Sequence, residues 1–269
     1  MSMEFNNENI EYSRKDISKN IKLPKILTTE LAEIFGIIIG DGHLEYRKYK
    51  TTTAYSIYIA GNLTEDFDYY EDEINPIFFK LFNTKFTFAS QRKRELIVRL
   101  YSKAIVTFIK NFGIKPGNKV YNNEIPNIIL NSDDEIKKGF LRGLFDTDGS
   151  ISFKKNSKGV HSKPIISITM KSRVLATQIK ELLMVLGFTP CFFPERSYYH
   201  KRDKFYSRYR VALSGKDNLS KFLQLIGFRN PKHLTKIEIW NKFGFYPPRL
   251  SYQQRLDILK GKLDPKKFY

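Results

Sequence analysis

The chain has 269 residues, 41% of them hydrophobic, and 46 Lys and Arg stand against 28 Asp and Glu for a net charge of +18. That is enough apolar material for one or two packed domains, and no run of about 18 apolar residues exists to span a membrane. The segment Met1 to Asn20 is polar and acid-containing, without a signal peptide's apolar stretch, so a soluble, cytoplasmic protein with no membrane role is expected. A single cysteine, Cys191, excludes an internal disulfide and a cysteine-based zinc site, and is expected to be a packed small residue. From Pro190 to Tyr269 there are 18 Lys and Arg against 6 Asp and Glu, an uneven excess that points to a polyanionic partner.

Taken in chain order, residues 1–28 form an amino-terminal extension and residues 29–115 a first unit. This unit opens with an apolar helix from Leu31 that closes on Gly40-Asp41-Gly42. A hairpin follows, His43 to Lys50 with Thr53 to Ala60, in which Leu44 and Tyr46 alternate with Glu45 and Arg47. Next come a helix over Glu65 to Phe82, a second hairpin of Phe86 to Gln91 with Glu95 to Tyr101, and a short helix running into Phe108–Lys115. Residues 116–132, rich in Pro, Gly and Asn, read as a linker.

The second unit, 133–230, repeats the order. Its helix closes on Asp146-Thr147-Asp148-Gly149. Hairpins over Ser150 to Lys155 with Pro164 to Met170 and over Cys191 to Ser197 with Phe205 to Leu213 flank a helix over Ser172 to Leu186. The near-repeated phrase Phe222–Arg229 ends it. Residues 231–269 are a helical extension. The expected fold is α+β: two pseudo-symmetric αββαββα units whose antiparallel sheets form a saddle around a two-helix interface.

The two acid-ended helices carry the chemistry. Each has small residues four apart, Gly36 and Gly40 or Gly143 and Thr147, a stripe that lets two helix backbones approach closely. Side by side they bring Asp41 and Asp148 together, and adjoining carboxylates repel unless a cation lies between them. Asp146 precedes Asp148 by two positions, about 200° around a helix, and is expected to be structural.

These helices resemble the motif of the LAGLIDADG homing endonuclease family, in the form where one chain carries both copies. Leu141–Gly149 keeps the glycine, both acids and the final glycine of the family pattern, whereas Ile34–Gly42 keeps only the last acid. The resemblance implies a monomeric, intron-associated nuclease that makes double-strand breaks in a long, near-palindromic DNA target. It implies metal ligation by Asp41 and Asp148 with the carbonyls of Gly40 and Thr147; an all-oxygen site suits Mg2+ or another divalent cation. The family's basic residues near the scissile phosphates map onto Lys171, after the second strand of the second unit, and onto Lys119 and Lys232, before the terminal helix of each unit. The first unit has Gly61-Asn62 where the second has Lys171.

For DNA contact, Tyr209, Val211 and Leu213 share one face of their strand while Arg208 and Arg210 share the other. The preceding loop carries Arg196, Lys201, Arg202 and Lys204; Arg92 and Arg94 occupy the matching turn of the first unit, and Arg47 and Lys154 the first hairpins. A two-stranded ribbon of this kind fits the major groove of duplex DNA. Tyr198 and Tyr199 could stack on unpaired bases, which keeps structured RNA open as a partner.

His43, His161, His200 and His233 form no metal-nuclease motif, and Glu135-Ile136-Lys137 reads as a solvated helix face. The competing functions are an RNA-binding intron maturase and a non-cleaving DNA-binding regulator. Neither a first-position Cys, Ser or Thr nor a terminal His-Asn is present, which argues against intein residence.

Overall fold

The computed structural model describes residues 4–50, 53–89, 94–117, 123–199 and 204–269, except for the side chains of Ser197, Tyr199 and Lys204. Its elements follow the expected order. After α1 (Arg14–Ser18), the first unit runs α2 (Thr29–Ile39), β1 (Gly42–Lys48), β2 (Thr53–Asn62), α3 (Leu63–Asp68), a π-helical turn (Tyr69–Ile74), α4 (Asn75–Phe82), β3 (Thr87–Ala89), β4 (Glu95–Tyr101) and α5 (Lys103–Asn111). A short α6 (Asn127–Leu130) leads into the second unit: α7 (Asp134–Thr147), β5 (Gly149–Lys155), β6 (His161–Met170), α8 (Arg173–Val185), β7 (Cys191–Tyr199), β8 (Lys204–Ser214) and α9 (Lys216–Leu225). The chain ends with α10 (Pro231–Phe243), α11 (Tyr252–Leu259) and a 3-10 turn (Pro265–Phe268).

Helices α2 and α7 form the centre. Each starts at a side-chain cap: Thr28 accepts from the Leu31 N–H and Asp133 from the Ile136 N–H. Their backbones touch, because a Cβ added at Gly36 would stand 2.2 Å from the Phe140 carbonyl and one at Gly143 only 2.1 Å from the Glu33 carbonyl. At Gly40 the neighbour would be Thr147 Oγ1, 2.2 Å away. The small-residue stripe therefore does what its spacing predicts.

The sheets are antiparallel and four-stranded, in the orders β1-β2-β4-β3 and β5-β6-β8-β7. Strand alternation turns Leu44, Ile57, Ile59, Val98 and Leu100 in one sheet, and Ile151, Ile166, Ile168, Val211 and Leu213 in the other, onto the helix-covered core. Among the described residues no helix covers the opposite face of either sheet. The result is the α+β saddle of two pseudo-symmetric units.

Several local expectations change. The helix read over Glu65 to Phe82 begins at Leu63, capped by Asn62, and widens into the π turn that buries Tyr69, Tyr70 and Ile74. Pro76, which lacks the N–H for an i→i−4 bond, sits at the exit of that turn. The described part of the 116–132 segment is docked: the Asn123 side-chain amide donates to the Ile39 carbonyl (3.1 Å), and the Ile125 N–H donates to Gln178 Oε1 (2.8 Å). Cys191 is exposed, not packed, because it lies on the helix-free face opposite Ala212. No helix among the described residues is long and apolar enough to cross a membrane.

The C-terminal helices pack on the outer end of the β5–β6 hairpin. Phe153 stacks between Trp240 and Tyr246, with ring centroids 6.0 and 5.1 Å away, and Trp240 Nε1 donates to the Ser162 carbonyl. His233 on α10 is 1% exposed and packs tilted against Phe228, with ring centroids 4.6 Å apart. Burial first, then the ammonium groups of Lys232 and Lys236, pull its pKa well below the ordinary value. The folded state therefore binds fewer protons at this site than the unfolded chain once pH falls below about 6.5. Stability is present above that pH and is lost as pH falls from there towards the folded pKa, by up to about 1.4 kcal/mol per pH unit. His233→Phe, which keeps the ring contact but cannot titrate, is expected to lose less stability between pH 7.5 and 5.5 in denaturant melts; equal losses would refute this.

Candidate active site

The turn from each motif helix into the next strand is too tight for a side chain. A Cβ at Gly42 would lie 2.6 Å from Ile38 Cα, and one at Gly149 would lie 2.3 Å from the Phe145 carbonyl. Hence an acid followed by glycine at both places: Asp41 and Asp148 are carried at the two helix ends that the stripe brings together. The fully buried Tyr70, from the π turn, senses that gathering. Its phenol pKa is raised well above the ordinary value, by burial first and then by Asp41, Asp66, Asp146 and Asp148.

At one centre, a cavity of about 240 Å³ is lined by Asp148, Gly40, Lys171, Asn123 and Thr169. The acid of one unit thus meets the helix end of the other, and Lys171 also lies 5.6 Å from the centroid of the Tyr206 ring. At the other centre, the Lys232 ammonium donates to the Thr147 carbonyl (3.2 Å) and pairs with Asp66 Oδ1 (3.1 Å). Asp66 also accepts from the Asn62 N–H (2.8 Å) and from the Asn230 side-chain amide (2.9 Å). The surroundings of the two helix ends differ: Lys171 lines the cavity at Asp148, and a Lys232–Asp66 pair stands beside Asn62, the counterpart of that lysine in the first unit.

Asp146 turns inward, fully buried, and accepts from the backbone N–H groups of Arg229 (3.0 Å) and Asn230 (3.1 Å). Burial outweighs those bonds and pushes its carboxyl up to about 7. Glu33, in the middle of the α2–α7 contact, has no exposure and pairs with Arg142 (3.3 Å) and Arg229 (2.9 Å). Arg229 in turn reaches Glu73 of the π turn (3.3 Å). Burial raises the Glu33 pKa in spite of both guanidinium groups.

Sequence reasoning missed Asp66, Asn123, Asn230, Glu33 and Tyr70 around this centre. One signal was available for Asn230, since Asn230-Pro231-Lys232 echoes Asn118 and Lys119 at the same place in the repeat. The others are brought in by packing alone.

The donors fit a hard divalent cation, being carboxylate and carbonyl oxygens throughout. Among the described residues no three His, Cys, Asp or Glu side chains gather into a metal-holding group, so the carbonyls of Gly40 and Thr147 and solvent would have to complete any coordination.

The free faces carry some of the expected basic residues. Arg47, Lys154, Arg208 and Arg210 lie there by alternation, but Arg196 shares its side of β7 with Phe192 and points away from them. Arg210 is already paired with Glu195 (2.8 Å) and lies over the Phe193 ring. Arg94 is exposed in the turn before β4. Arg92, Lys119, Lys201 and Arg202 lie outside the described residues, as does the side chain of Lys204. An unanticipated residue, Arg99, sits on the free face of the first sheet against Tyr58 and Tyr101, donating to the Tyr101 hydroxyl (3.0 Å).

Residues 135–227 match the family model of the LAGLIDADG-like domain. With the acid-ended helix pair and the doubled αββαββα order, the resemblance to the LAGLIDADG homing endonuclease family, in its single-chain form with two motifs, holds. Solved structures share the fold. The homing endonuclease I-DmoI, in complex with DNA and Mn, superposes with a TM-score of 0.52 at 20% identity, covering 74% of this chain and 96% of that one. A double mutant of I-SmaMI gives 0.52 at 14% identity over 88% and 95%.

Among curated proteins, the chain is similar to glutamine--fructose-6-phosphate aminotransferase of Methanocaldococcus jannaschii (24% identity over 223 residues, 82% of this chain). It is similar also to the replication factor C small subunit of M. jannaschii (29% over 208 residues, 77%) and to a DNA polymerase of Thermococcus hydrothermalis (25% over 240 residues, 88%). The matches span only 18%, 10% and 13% of those proteins.

Proposed function

We propose that the protein is a site-specific endonuclease that hydrolyses both strands of a long, near-palindromic DNA duplex with a divalent cation, Mg2+ by preference. The observation that carries this reading is the cavity where Asp148 meets Gly40 of the other motif helix and Lys171. The curated relatives support it from another side. Their names describe unrelated activities, yet they share this segment with the chain, so the shared segment answers to none of them and fits a mobile nuclease module.

Phosphodiester hydrolysis needs an activated water, neutralisation of charge on phosphorus and help for the leaving oxygen, which a divalent cation between Asp41, Asp148 and the carbonyls of Gly40 and Thr147 would supply. The chain's own residues do the rest. Lys171 and Lys232 neutralise phosphate charge beside the two centres, Asp66 and the Thr147 carbonyl orient Lys232, and the buried Tyr70 lies close enough to the carboxylates to feel their charge. Arg47, Arg99, Lys154 and Arg208 on the free faces hold the duplex by phosphates and base edges. A monomer suffices, since both centres lie in one chain.

The two centres are expected to cut at different rates, with the Asp148 centre first. A supercoiled plasmid carrying the target should pass through nicked circle before becoming linear, and Lys171→Ala should abolish the early nick. Linear product forming with no nicked circle at any time would contradict this.

A non-cleaving DNA-binding regulator is the second reading, and the engagement of the Thr147 carbonyl by Lys232 favours it. Selection from randomised duplex DNA bound in calcium, then transferred to magnesium with sequencing of the ends, separates the two. Enriched sequence with cuts supports the nuclease, enrichment without cuts the regulator, and no enrichment directs the search to RNA.

A further inference from the structure

The C-terminal segment borders, with β5 and α3, another cavity that is open to solvent, of about 420 Å³, whose lining shares no residue with the one at Asp148. Its walls include Glu65 of α3, His161, Lys236 of α10, Tyr246, Arg249 and Arg255 of α11. Arg255 is 2% exposed and is the largest fully buried side chain among the described residues. Its Nη1 reaches the Leu250 carbonyl only at 3.5 Å, and Nη2 stands 3.2 Å from Glu65 Oε1. The Tyr246 hydroxyl and the Tyr252 ring, whose centroid lies 5.3 Å from Cζ, also face the guanidinium, yet Nε and Nη2 have no well-aligned acceptor among the described residues. A guanidinium presents five donors, and buried donors without acceptors are rare in folded proteins unless another partner supplies them.

The surroundings repeat the sign of the deficit. Lys236, Arg249 and Arg255 face the cavity against the single carboxylate of Glu65, an excess of two positive charges. Burial first, then Arg255, lowers the Lys236 pKa to about 8, the response of an ammonium crowded by burial and like charge. Arg249 at the rim has φ of +61°, a left-handed backbone that side chains other than glycine's rarely adopt and that tends to persist where function needs it.

We propose that this cavity binds a phosphate-class oxyanion, with Lys236 and Arg249 as its direct donors and the Arg255 guanidinium behind them. A dianion balances the excess charge and supplies acceptors; a cation would be repelled, and an apolar ligand would leave the donors unmet. The oxyanion is either a backbone phosphate of bound nucleic acid or free phosphate. The site does not depend on whether Asp41 and Asp148 cut DNA.

The test uses the full chain and inorganic phosphate, by calorimetric titration and thermal melts against chloride of matched ionic strength. A dissociation constant on the order of 1 mM or tighter is expected, weakened about tenfold by Lys236→Gln and by Arg249→Gly, the size of one charge-assisted contact. Arg249→Gly relieves the left-handed backbone while removing the cation, so loss of binding there is not loss of fold. The source follows from salt titrations of duplex binding. If a backbone phosphate occupies the site, both variants reduce the slope of log K against log salt by about one. If the site serves free phosphate, the slope is unchanged while the phosphate response is lost. No phosphate binding by the parent chain, or binding of equal strength in both variants, would overturn the proposal.

Discussion

Asp148→Asn is expected to lower cleavage by at least about a thousandfold, equivalent to about 4 kcal/mol of transition-state stabilisation, while duplex affinity changes less than about twofold. Asparagine keeps the size and the backbone of the helix end but removes the anionic oxygen that a hard cation needs. Binding is expected to survive because the proposed DNA contacts, Arg47, Arg99, Lys154 and Arg208, lie on the free faces of the sheets. Asp41→Asn should act in the same way on the opposite strand, and the double mutant should bind without cutting either. The measurement pairs single-turnover cleavage in magnesium with gel-shift affinity in calcium. Parent-level cutting of both strands by either single mutant would show that the metal assignment is wrong; joint loss of cutting and binding would show that the acids hold the saddle together instead.

Gly143→Ala carries the largest expected effect on stability. Helix propensity alone predicts a gain of about 1 kcal/mol from this change in a helix interior. Geometry predicts the opposite, because the new methyl would stand 2.1 Å from the Glu33 carbonyl and 3.1 Å from the Ile37 backbone nitrogen. Those are backbone atoms, with no rotamer to move. Relief requires α2 and α7 to separate, which loosens the Gly36 and Gly40 contacts and the buried Glu33–Arg142 and Glu33–Arg229 pairs together. A net loss of about 3 kcal/mol is expected, or a fall in melting temperature of roughly 6–12 °C for a chain of this size. Separation would also move Asp148 away from Gly40, so activity should fall more than the unfolded fraction accounts for. A melting point at or above the parent's would mean that the helices are not in backbone contact.

The two predictions divide what was legible in the sequence from what was not. The helix pair was legible because its cause is local: small residues four apart expose backbone on one face, and an acid-glycine pair marks a helix end that must turn at once into a strand. The doubled αββαββα order was legible because each unit writes the same alternation twice, and the repeat guards against chance. Periodicity also placed Arg208 and Arg210 on the free face.

What the sequence could not determine depends on which side chains of distant segments meet. Nothing near Lys232 in the chain announces Asp66, yet the two lie 3.1 Å apart because α3 and the start of α10 pack together across the pseudo-twofold. Arg210 reads as an exposed base contact until the register of β7 brings Glu195 beside it, and Arg196 falls on the wrong side of the same strand. The π turn, invisible to a 3.6-residue period, delivers Tyr70 to the carboxylates. By itself, then, the sequence determined the fold, the paired acids and the basic character, all properties of local pattern and repeat. Only the tertiary structure decided that the two centres are unequal and that Arg255 lies buried against a cavity, because buried charge is set by what surrounds it in space.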